Sequence, residues 1–91
     1  MGDVRIGQLV YSKAGRDQNR PFLIWEITED GYLGLVDGDL RKVENPKRKN
    51  IKHVRITHQV ATEIAAKIMS GQCPSNAEVR RAIMVLSQPR E

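Results

Sequence analysis

The chain is 91 residues long, 40 % apolar and 29 % charged, enough for one domain with a modest core and too apolar for wholesale disorder. Its single cysteine, Cys73, excludes an internal disulfide, and no cysteine ladder suggests zinc. The net charge of +4 and pI near 9.6 say less than where the charge lies. Residues 1–40 carry four basic against seven acidic side chains, residues 41–55 seven against one, and residues 56–91 four against three. The positive excess therefore sits in one short segment. Residues 1–6 hold no apolar run of the signal-peptide kind, and no stretch reaches the length of a membrane span, so a cytoplasmic protein is expected.

In chain order, residues 6–11 are apolar and β-prone, with Gly7 marking a bulge or a close backbone approach. Residues 12–20 (SKAGRDQNR) have no apolar periodicity and read as a polar loop. Pro21 opens a strand over residues 22–28, where Phe22 and Ile24 share one face and Leu23, Trp25 and Ile27 the other. After the turn Glu29-Asp30-Gly31, residues 32–36 (YLGLV) form a third strand. Asp37-Gly38 is the strongest hairpin signal, with Leu40 and Val43 expected on its far side. A basic stretch containing Pro46 leads to a final short strand over residues 51–56. Five short strands of this kind predict a small closed or nearly closed barrel, which also hides its edges.

At Thr57 the period changes from strand-like to helical. Thr57 is the expected N-cap, and Val60, Ala61, Ile64, Ala65 and Ile68 recur at helical spacing until Gly71. Ser75 and Glu78 have capping-box spacing and open a second helix through Val79, Ala82, Ile83 and Leu86, ending before Pro89. Two helices this short need tertiary support. The expected division is a β-barrel over residues 1–56 and a two-helix extension over residues 57–91.

Residues 41–55 carry Arg41, Lys42, Lys47, Arg48, Lys49, Lys52 and Arg55. Long cations among small polar donors suit phosphate contacts, which gain affinity by releasing counterions. The other reading is a solvated face with no partner; the charge asymmetry favours RNA. Gly15-Arg16-Asp17 either presents backbone N–H groups and a guanidinium to a phosphate or forms an ordinary loop. Tyr11 and Tyr32 either stack on a base or pack with exposed hydroxyls, whereas Phe22 and Trp25 read as core. With aromatics so sparse, recognition of RNA shape and backbone is expected rather than base reading. His53 and His58 repeat no metal motif, and no nucleophile–base set is present, so neither a cofactor nor catalysis is expected.

Residues 7–27 (GQLVYSKAGRDQNRPFLIWEI) resemble a KOW motif, the strand–loop–strand element of SH3-like barrels in ribosomal and transcription-associated proteins. Leu35-Val36-Asp37-Gly38 and Asn50-Ile51-Lys52-His53-Val54 extend the likeness to the barrels of ribosomal protein L14e and of short bacterial KOW-domain RNA-binding proteins. The resemblance implies an SH3-like barrel, structured RNA (ribosomal RNA or the ribosome) as partner, and a motif loop holding Gly15, Arg16 and Asp17. Asn19 stands where the family pattern has glycine; asparagine tolerates a left-handed backbone better than other side chains. The combined expectation is RNA binding through Gly15, Arg16, Arg20, Arg41, Lys42, Lys47, Arg48, Lys49, Lys52 and Arg55. A protein–protein adaptor, using the barrel or the apolar stripe of the helices around Ile64 and Ile68, is the alternative, and exposure of that stripe is its test.

Overall fold

The computed structural model describes residues 4–88. Five strands, β1 (Gln8–Ser12), β2 (Pro21–Ile27), β3 (Tyr32–Val36), β4 (Lys47–Asn50) and β5 (Val54–Val60), precede two helices, α1 (Thr62–Met69) and α2 (Asn76–Leu86). All neighbouring strands are antiparallel, in the order β4-β3-β2-β1-β5. Short 3-10 turns occupy Gly15–Asp17, between β1 and β2, and Ile51–His53, between β4 and β5. Register shifts between Gln8 and Val10 and between Ile24 and Glu26 bend the long strands, as bulges do.

Both faces of this sheet are covered, which explains why residues 22–25 are apolar without alternation. On the inner face Val10, Phe22, Ile24, Leu33, Leu35 and Val54 form one buried cluster. On the outer face Leu9, Leu23 and Val36 meet Ala61, Ile64, Val79 and Ile83 of the helical segment, with Tyr11, Trp25 and Ile68 at the margin. Each fully buried aliphatic side chain contributes about 1.5–3 kcal/mol, so the helices supply a substantial part of the core. Ile64 is 4 % exposed and Ile68 packs beside it. Of the stripe expected as an adaptor surface, Ile64 is therefore buried and Ile68 half-buried.

Three expectations need correction. The change from strand to helix comes at Ala61, the α1 N-cap, and not at Thr57. Thr57 lies in β5, where its hydroxyl donates to the Leu9 carbonyl at 2.6 Å and accepts from the Gln59 N–H. Asp37-Gly38 does not close a two-residue hairpin: it starts a ten-residue connection, and Leu40 on it is exposed. The strand beyond that connection is Lys47–Asn50, four polar residues paired to β3, while residues 51–53 turn and only residues from Val54 onward join the final strand. The capping box is as read: Ser75 Oγ accepts from the Glu78 N–H, and the Glu78 carboxylate accepts from the Ser75 N–H. No helix among the described residues is long and apolar enough to cross a membrane.

Candidate nucleic-acid interface

β4 is an edge strand, and its side chains alternate. Lys47 stands opposite Leu35 and Lys49 opposite Leu33, on the inner face, whereas Arg48 stands opposite Gly34 on the outer face. Charged residues along an exposed edge discourage further strand pairing. Here the two inner lysines also reach across the mouth of the sheet to the β1–β2 loop.

That loop is held in shape by its own backbone. Ser12 N–H donates to the Arg20 carbonyl at 3.1 Å, Asn19 N–H to the Ser12 carbonyl at 2.8 Å, and Arg20 N–H to the Asp17 carbonyl at 2.9 Å. Asn19 has φ 69°, the left-handed conformation anticipated for it. The closed loop buries Asp17 to 8 % exposure. Lys47 Nζ donates to Asp17 Oδ2 at 2.5 Å, and Lys49 Nζ donates to Ser12 Oγ at 2.9 Å and to the Ala14 carbonyl at 3.2 Å.

The hydrogen bond from Lys47, aided by the charges of Arg41 and Lys49 and opposed by burial, holds the Asp17 carboxyl below its ordinary value. Lys49 is lowered too, first by burial and then by the neighbouring Lys47 charge. Lys47 is paired with the Asp17 carboxylate, whereas Lys49 contacts only neutral oxygens, so the rim keeps a positive excess. Arg16 is exposed on the adjoining 3-10 turn, with no carboxylate partner among the described residues.

The other expected residues do not join this cluster. Arg48 pairs with Asp30 at 3.2 Å and lies 4.4 Å over the Tyr32 ring on the opposite face. Arg55, on β5 opposite Tyr11, lies 4.6 Å over that ring. Each tyrosine therefore carries a guanidinium on one face of its ring, which leaves that face closed to a base. Arg20 donates to Asp37 at 3.3 Å, and its buried Nε has no hydrogen-bond partner. Lys42 and Lys52 are exposed, on the β3–β4 connection and the turn before β5. Lys13, which lies outside the basic segment and is not among the expected site residues, is exposed beside the Lys49 contact, its N–H donating to the His53 carbonyl at 2.8 Å. Composition could not have shown Asp17 as the anchor of the rim; only the turn that folds it inward does. Among the described residues no group of three His, Cys, Asp or Glu side chains is placed to hold a metal ion.

No family model matches the chain, and no curated protein matches it.

Proposed function

We propose that this protein binds structured RNA, ribosomal RNA being the foremost candidate, without catalysing a reaction, and that its sheet is an SH3-like barrel of the KOW type. The barrel reading is supported by five short antiparallel strands, two bulges, and β5 returning beside β1. The observation that carries the RNA reading is that Lys47 and Lys49 both reach the β1–β2 loop, where Lys47 pairs with Asp17 and Lys49 meets only the Ser12 hydroxyl and the Ala14 carbonyl. A phosphate entering there meets more positive charge than one carboxylate neutralises, and it relieves repulsion between Lys47 and Lys49. Arg16, Lys13, Lys42 and Lys52 extend the basic surface around that centre. The occupied tyrosine faces favour recognition of backbone and shape over stacking of splayed bases.

Fluorescence anisotropy with a labelled RNA stem-loop, titrated at several salt concentrations, tests this reading. Affinity falls steeply with salt, and Lys47→Ala/Lys49→Ala makes the slope of log affinity against log salt shallower by roughly 1–2. Arg48→Ala, on the other face, changes affinity by less than about twofold, as for a side chain away from the contact. Binding that ignores both salt and the double substitution overturns the interface.

A further inference from the structure

The ten residues between β3 and β4 carry Arg41 and Lys42 and deliver β4 to the motif loop, yet they contain no regular structure. Apart from the Arg20 guanidinium, which donates to Asp37 Oδ2 at 3.3 Å, their order comes from two sources. Within the connection, Asp37 Oδ1 accepts from the Asp39 and Arg41 N–H groups at 2.9 and 2.8 Å, and the Asp37 and Gly38 N–H groups both donate to the Arg41 carbonyl. The second source is α2. Arg80 Nη1 donates to the Gly38 carbonyl at 2.6 Å, and Asn76 Oδ1 accepts from the Val43 N–H at 2.8 Å. Asn76 Nδ2 donates to Glu44 Oε1 at 3.0 Å, which holds that carboxyl below its ordinary value. The Val43 side chain is buried in the cluster that contains Val79 and Ile83.

Gly38 lies directly against the start of α2: a Cβ there would stand 2.4 Å from the Asn76 carbonyl oxygen. The points fixed by α2, Gly38 on one side and Val43 and Glu44 on the other, therefore bracket Arg41 and Lys42. α2 is in turn set by its capping box and by the Lys67–Glu78 ion pair to α1.

We infer that the helical hairpin is a positioning element of the RNA-binding surface, with Asn76 and Arg80 holding the β3–β4 connection so that Arg41 and Lys42 are presented in one arrangement. The inference rests on the RNA-binding reading above. A loop ordered before binding loses less conformational freedom on contact with phosphates, so its cations bind more tightly without any new contact. Neither residue touches RNA. Asn76 is uncharged, so its removal takes no cation from the surface.

The test is a double-mutant cycle with the labelled RNA stem-loop, on full-length protein shown to be folded by circular dichroism. Asn76→Ala weakens binding about fivefold. In an Arg41→Ala/Lys42→Ala background it costs nothing further, because the side chains it positions are gone. Amide exchange at Val43 accelerates in Asn76→Ala, which reports release of the connection independently of RNA. Arg80→Gln, which breaks the other anchor, serves if Asn76→Ala does not fold, and its cost likewise vanishes in the Arg41/Lys42 background. Equal affinities of wild type and variant overturn the inference and leave the RNA reading standing. A cost that persists in the Arg41/Lys42 background also overturns it, since α2 then acts elsewhere. Failure of the wild type to bind with salt dependence sinks the RNA reading itself.

Discussion

Replacing Asp17 with asparagine removes the carboxylate that pairs with Lys47, while keeping the size and one carbonyl acceptor. The wild-type residue is 8 % exposed and accepts from Lys47 at 2.5 Å, while the Lys47 side chain remains 27 % exposed. Fully exposed pairs contribute about 0–1 kcal/mol, and breaking a fully buried one costs about 3–5 kcal/mol. This pair lies between, and solvent reaching the lysine brings it toward the lower end, so the expected loss is about 1–2 kcal/mol at neutral pH. For a chain of this length that lowers Tm by about 5–10 °C.

The pH dependence makes the prediction specific. The folded Asp17 carboxyl is held below its ordinary value of 3.8. Its stabilisation is therefore complete above that value and disappears as pH falls through the lower folded value. Urea unfolding, followed by Trp25 fluorescence from about pH 7 down to about pH 2, shows the wild type and Asp17→Asn converging at the acid end. A gap of the same size at both ends refutes the reasoning, because a loss independent of ionisation is not electrostatic. So does the absence of any gap at neutral pH.

Three further substitutions probe the framework of the site. Asn19→Val forces a β-branched side chain into φ 69° and costs about 1–2 kcal/mol, whereas Asn19→Gly changes stability by only a few tenths; thermal unfolding separates them. Gly38→Ala, with φ 76° and a Cβ 2.4 Å from the Asn76 oxygen, destabilises by about 2 kcal/mol or more and alters the Asn76 and Val43 amide signals in NMR spectra. Ser75→Ala loses the capping box and lowers the urea midpoint by the equivalent of about 1 kcal/mol, with an unchanged m-value.

Much of the fold is legible in local pattern, wherever one kind of interaction dominates. The apolar, β-branched run in β2 and the YLGLV run of β3 announce strands because their side chains are buried on both faces. Ser75 and Glu78 announce a helix start because a capping box is made within four residues. β4 gives no such signal: Lys47–Asn50 contains no apolar residue, and it is a strand only because the free edge of β3 supplies hydrogen-bond partners. The same tertiary pairing decides Thr57. A threonine before a helical pattern is a good N-cap, but here β1 offers β5 a longer ladder, and Ala61 N–H instead donates to the Gly7 carbonyl at 2.8 Å.

The candidate site divides along the same line. Charge density is a property of composition, so the concentration of cations in residues 41–55 was visible in the chain itself. Which of those cations act together was not. Alternation along β4 sends Lys47 and Lys49 to one face and Arg48 to the other, and the partners that select among them, Asp17 and Asp30, lie 30 and 18 residues from the cations they bind. Coulombic and hydrogen-bonding energies depend on separation in space, over a few ångströms, and separation along the chain carries almost no information about that until the sheet has closed and the helices have packed on it.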